Sequence, residues 1–128
     1  HIADFFLNHP NLPADKIPYW DFNAPNIPNE ERDASAGAIA ASALLELATY
    51  GGPSAKTYYQ SAVKMLESLA SPAYKANLGE NNNFILKHSV GHKPGKSEID
   101  TPLIYADYYF LEGLLRYDAL RKKAAFKS

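Results

Sequence analysis

The sequence predicts an all-α protein built from antiparallel helical hairpins, and three observations carry that expectation. Two stretches, "DASAGAIAASALLELATY" at 33–50 and "LIYADYYFLEGLL" at 103–115, are small or apolar on almost every side, the mark of helices buried all round. Between them, "AKTYYQSAVKMLESLA" places Tyr58, Ala62, Met65, Leu66 and Leu69 on one stripe and Lys56, Gln60, Lys64, Glu67 and Ser68 on a wet face. That spacing belongs to a helix packed on the outside. A "GGP" at 51–53 leaves only a three-residue turn between the first buried segment and the amphipathic one. Such a turn folds the two helices back on each other.

Taken in order, "HIADFFLNHP" at 1–10 reads as the tail of an amphipathic helix with Ile2, Phe5 and Phe6 on one face and no cap residue before it. Pro10 disfavours helix in His9 and ends it there. Residues 10–31 then carry Pro10, Pro13, Pro18, Pro25 and Pro28 around the aromatic cluster "YWDF" at 19–22. A connection that long inside a compact domain is more often functional than accidental. The second helix runs from about Asp33, whose carboxylate can cap it, to Tyr50, where Gly51 and Gly52 close it. The third begins with Pro53 at its first helical position and runs to about Ala70. Residues 71–100 are irregular, with a short helical turn at 73–77 and an extended piece at "NFILKHS". The fourth helix starts at "DTP", with Asp100 or Thr101 as cap and Pro102 first in the helix, and continues to about Lys122. The order is outer, inner, outer, inner, and the two long loops fall at one end, beside the N-termini of the two inner helices. Free N–H groups and the helix dipole make that end hospitable to anions.

The bulk numbers agree with one unit over 1–128. The chain has 128 residues, a formal net charge of −1, 46% hydrophobic and 21% charged residues, enough to bury a core. Near-neutral charge argues against a general nucleic-acid binder. No apolar run approaches the roughly 18 residues of a membrane span. The absence of cysteine excludes disulfides and thiolate metal sites. A chain opening on His1 in mid-helix is expected to be a piece of something longer.

Four stretches, "IPYWDFNAP", "ERDASAGAIAASALLEL", "SVGHKPG" and "EIDTPLIYADYYFLEGLLR", make the whole chain resemble the C-terminal third of the unsaturated glucuronyl hydrolases, glycoside hydrolase family 88. The related unsaturated rhamnogalacturonyl hydrolases share much of this plan. The resemblance implies part of an (α/α)6 barrel, a toroid of six inner and six outer helices with the active cleft at one end. It implies release of a Δ4,5-unsaturated uronic acid from the non-reducing end of lyase-generated oligosaccharides, with an aspartate protonating the double bond and activating water. Ordinary glycosidases instead place two carboxylates about an oxocarbenium-like centre. No cofactor and no metal are implied, and a bacterial cytoplasm or periplasm is. The family's two catalytic aspartates lie in segments this chain does not contain, so no catalytic residue is expected here, and Asp21, Asp33, Asp100 and Asp107 are not put in their place.

By the same resemblance, "HSVGHKPGK" is the loop that reaches the sugar beside the unsaturated uronate. Ser89 is expected to contact it through its hydroxyl, His92 by hydrogen bonding and Lys93 as a point charge. Where sulfate-accepting members have a Ser/Ser/Lys pattern, His92 stands at one serine position. Against this stands a solvated basic loop with no ligand, since most surface charges bind nothing. Trp20 offers a stacking wall and Asp21 an acceptor, although aromatics such as Tyr19, Trp20 and Phe22 more often pin a loop to its core. Arg32, Asp33 and Asp107 are expected as structural braces, the last between inner helices, because an ionisable group on an apolar helix needs a partner. Glu112 and Arg116 form a simple i, i+4 pair. His88 and His92 have zinc-ligand spacing, but Gly91 and Pro94 deny them a helix and no third ligand is at hand. The expected partners are an unsaturated uronate-containing oligosaccharide and, over the apolar flanks, the missing N-terminal part of the barrel or a second copy; nucleic acid and membrane are not expected. A different class of protein, a solenoid-type hairpin module that binds a glycan or protein without chemistry, would leave no such flanks uncovered.

Overall fold

The computed structural model describes residues 1–123 and 126 and contains four α-helices and no named strand among them: α1, Ile2–Leu7; α2, Ala34–Thr49; α3, Ala55–Ala70; and α4, Ile104–Leu120. The all-α expectation holds. Helix α2 lies between α3 and α4. Its start meets α4's start, where Tyr105 lies beside Ser35 and Asp33, and Glu46 meets Arg116 one helix length further on. The two helices therefore run the same way. Helix α3 runs against them, Tyr59 stacking on Tyr117 near the end of α4. Leu44, Leu45, Met65, Leu66, Leu69 and Phe110 fill the space among the three. Gly113 allows the close approach, since a Cβ there would stand 3.0 Å from Leu66 and 3.8 Å from the backbone nitrogen of Ser42.

Local chemistry accounts for the boundaries. Asp33 caps α2 as expected, accepting from the Ser35 N–H at 3.0 Å. Gly51 and Gly52 follow it with φ of 76° and 88°, a region costly for other residues. Pro53 does not open α3 as expected. It lies in the turn before the cap residue Ser54, because Ala55 bonds back to Gly52 and the first helical N–H comes later. Helix α4 likewise takes Leu103 as its cap, not Asp100 or Thr101. Thr101 is held extended by two backbone bonds to Ser89 (3.0 and 2.9 Å), and Pro102 keeps it out of the helical region. The helical turn expected at 73–77 is instead a turn around 72–74 followed by a short 3-10 turn at Asn81–Asn83. The "NFILKHS" piece is extended only in part: Asn83 belongs to the 3-10 turn, Leu86 and Ser89 form bridges, and His88 between them has φ of 63°.

Two expectations about faces are corrected. In α1, Leu7 is buried and Phe6 packs on the core, while Ile2 and Phe5 lie exposed. Helices α2 and α4 are not buried all round. Ile39, Leu47 and Tyr50 on one, and Ile104, Tyr108, Leu111 and Leu115 on the other, face outward, with Ile104 72% and Leu115 74% accessible.

Candidate functional site

The two long loops meet over the start of α2, and Asp33 joins them. Its carboxylate accepts from the Ser35 hydroxyl at 2.6 Å and from the Val90 N–H at 3.2 Å as well as capping the helix. The Ala34 N–H donates to the His88 carbonyl at 3.0 Å. The helix end expected to receive an anion is thus already supplied with the protein's own acceptors.

A second junction forms around Asp15. Its carboxylate accepts two bonds from Arg32, at 3.0 and 3.1 Å, and one from the Tyr74 hydroxyl at 2.8 Å. Burial, then the Asp15 carboxylate, pushes the Tyr74 hydroxyl well above the ordinary phenol range, so it stays a donor. Arg32 also donates to the Ile17 carbonyl and lies 4.9 Å over the Tyr19 ring. Arg32 is thus paired with a loop aspartate that nothing in "LPADKIP" advertises.

The third junction ties Lys93 to the proline-rich loop. Its ammonium bonds Glu30 at 2.5 Å, bonds Glu31, and sits 5.1 Å over the Trp20 ring, whose Nε1–H donates to Glu30 at 2.7 Å. The hydrogen bonds from Lys93 and then Trp20 hold the Glu30 carboxyl down to about 2, from an ordinary 4.5. Glu30, then Glu31, raises Lys93 in turn. Lys93 is therefore not the free point charge expected. A carboxyl whose folded pKa is depressed contributes stability above its unfolded pKa and loses it as pH falls through the folded one. Trp20 is the sole tryptophan, so its fluorescence should hold steady through pH 4.5 and change only as the pH approaches about 2. A change already complete above pH 4.5 would contradict the pairing.

Beyond Lys93, His92 is exposed, its backbone paired with Ser97. Ser89 is fully buried, and its hydroxyl has no partner among the described residues. His88 is not beside a second ligand but bonded through Nδ1 to Asp100 at 2.6 Å. Asn29, Glu30, Glu31, Arg32, Tyr74 and His88 line a cleft of about 440 Å³ between the loops. Asp107 is a buried brace, though not between inner helices. Its two oxygens accept the Ile85 and Leu86 N–H groups, each at 2.8 Å, tying α4 to the extended piece. Glu112 and Arg116 do more than pair with each other: Glu112 accepts from the Ser42 hydroxyl, and Arg116 binds the Ser42 carbonyl at 2.9 Å and Glu46 at 2.6 Å. Phe22 stacks on His9 at 4.1 Å and packs against Phe6 of α1 at 5.5 Å, so this end of "YWDF" pins the loop to α1 and the residues after it.

No family model matches the chain. It is 52% identical over 114 residues, 89% of its length, to the unsaturated glucuronyl hydrolase of Formosa agariphila, and 36% identical over 110 residues to that of Bacillus sp. (strain GL1). The chain spans 28% and 29% of those proteins. It superposes on the crystal structure of an unsaturated glucuronyl hydrolase specific for heparin with a TM-score of 0.92 and 52% identity, over 99% of this chain and 34% of that one. With the enzyme from Bacillus sp. GL1 the TM-score is 0.80 at 32% identity, over 90% and 30%. In class, then, the chain is part of an α/α barrel of the kind these hydrolases have. Within that class it is related to the unsaturated glucuronyl hydrolases, over about a third of their length.

Proposed function

We propose that the chain forms one wall of the substrate cleft of an unsaturated glucuronyl hydrolase, which releases Δ4,5-unsaturated uronic acid by hydrating its double bond. The single observation that carries this reading is 52% identity sustained at a TM-score of 0.92. Three relatives are named unsaturated chondroitin disaccharide hydrolases, and a neighbour was crystallised with dGlcA-GalNAc6S. The proposed substrates are accordingly unsaturated oligosaccharides from glycosaminoglycans. The remainder of the barrel is proposed to cover the outward faces of α2 and α4.

Within the wall, His92 and the ring of Trp20 are the groups offered to a sugar, while the buried Ser89 holds the loop to Thr101 through its backbone. Lys93 acts from inside its carboxylate pair. The chain's acids support a binding role over proton transfer. Asp15 is taken by Arg32 and Tyr74, Asp33 by the α2 cap, Asp100 by His88, and Asp107 by two backbone N–H groups. A general acid must reach the proton it transfers, and each of these is turned to another partner. The chain alone should therefore leave the ultraviolet absorbance of an unsaturated disaccharide's double bond unchanged. A catalytic fall in that absorbance with the chain alone would overturn the assignment of roles.

A further inference from the structure

We propose that Gly95 is a positioning residue for His92: the turn at the tip of the basic loop keeps one bare Cα as a seat for the imidazole, and that seat fixes the direction in which the ring is offered to a sugar.

The inference rests on the function proposed above, which makes His92 a sugar-facing group, and the geometry of the loop supplies the argument. Residues 89–101 fold back on themselves. Ser89 and Thr101 exchange two backbone bonds, the Gly91 N–H donates to the Glu98 carbonyl at 2.7 Å, and the Ser97 N–H donates to the His92 carbonyl at 3.2 Å. The tip is a turn from Lys93 to Lys96, closed by the Lys96 N–H on the Lys93 carbonyl at 2.9 Å. Pro94 suits the second position of such a turn, and glycine is needed at the third only where φ is positive. Gly95 is not in that region, unlike Gly51, Gly52 and Gly79, so its backbone is one that other residues adopt without strain. What the position does require is room. A Cβ on Gly95 would overlap Cδ2 and Nε2 of the His92 ring and stand 3.2 Å from its Cγ. The imidazole therefore occupies the space a side chain would take. An exposed histidine can turn among its rotamers unless something fills one side of it, and His92 is exposed with the turn as its support. The seat is anchored on either side of the ring: Lys93 is tied to Glu30 and Glu31, and the Val90 N–H is held by Asp33.

The test is a double-mutant cycle in the complete enzyme, with an unsaturated disaccharide as substrate. Gly95→Ala leaves the backbone unstrained and pushes the free end of the His92 side chain aside, so the melting temperature should hold while KM rises about fivefold and kcat stays within about twofold. His92→Ala should raise KM by at least as much. In the His92→Ala background, Gly95→Ala should add nothing, because a glycine that acts only through the ring has no effect once the ring is gone. A Gly95→Ala enzyme that folds with an unchanged KM overturns the inference alone. Equal costs of Gly95→Ala with and without the ring overturn it as well, since the glycine would then serve the turn and not His92. Absence of turnover by the unaltered enzyme overturns the proposed function and the inference with it.

Discussion

Replacing Asp107 by Ala should cost about 3–5 kcal/mol of folding stability, the largest loss expected from any one substitution in the loop end. The carboxylate is 8% accessible, and both of its oxygens are occupied by main-chain N–H groups, Ile85 and Leu86, each at 2.8 Å. Deleting it strips the buried Leu86 N–H and the half-buried Ile85 N–H of their acceptor, and an unmade bond in such a place costs more than a made one contributes. Leu86 is fully buried, so the extended piece cannot simply lift away to find solvent. Asp107→Asn should cost less, because one oxygen remains while the amide nitrogen now faces a donor. Urea unfolding would show the order Ala worse than Asn. A loss below about 1 kcal/mol for the alanine would mean that the bonds are not what holds α4 to the loop.

The second large effect concerns the outward faces. Ile104, Tyr108, Leu111 and Leu115 fall at helical intervals on α4, and Ile39, Leu47 and Tyr50 do the same on α2. Each such side chain contributes about 1.5–3 kcal/mol when fully buried, and contiguous apolar surface of this kind marks an interface. Separated from the rest of a barrel, the chain should self-associate. Sedimentation should show mass rising with concentration, and Ile104→Glu with Leu115→Glu should return it to monomer. In a complete barrel the same pair should be destabilising, because two charges would then be buried without partners. A clean monomer at all concentrations would favour the self-sufficient hairpin module over the barrel wall.

These faces also show what the sequence could and could not convey. The all-apolar patterns of 33–50 and 103–115 predict total burial, and the helices are where the patterns put them. A pattern reports the surroundings a helix was selected for, and here Ile104, Leu111 and Leu115 on α4 have no neighbour over them among the described residues. Caps were legible where a side chain does the capping, as with Asp33. They were misplaced where a proline two residues from the helix suggested a start that backbone pairing of Thr101 forbids. Asp107 was legible as a group in need of a partner, but its partners are main-chain N–H groups, which leave no mark in a sequence. Lys93 illustrates the general limit. Its carboxylates lie 62 and 63 positions away, and no local rule distinguishes a lysine bound for a distant acid from one left free for a ligand. Arg32 and Asp15, 17 positions apart across a proline-rich loop, were hidden for the same reason.

The most direct measurement of the central claim is a graft: this chain substituted for the corresponding segment of the Formosa agariphila enzyme, to which it is 52% identical. The graft should fold and consume the double bond of an unsaturated disaccharide, with a rate within about tenfold of the parent, since Asp15, Asp33, Asp100 and Asp107 are each engaged by protein partners. A graft that folds as stably as the parent yet leaves the double bond intact would contradict the account.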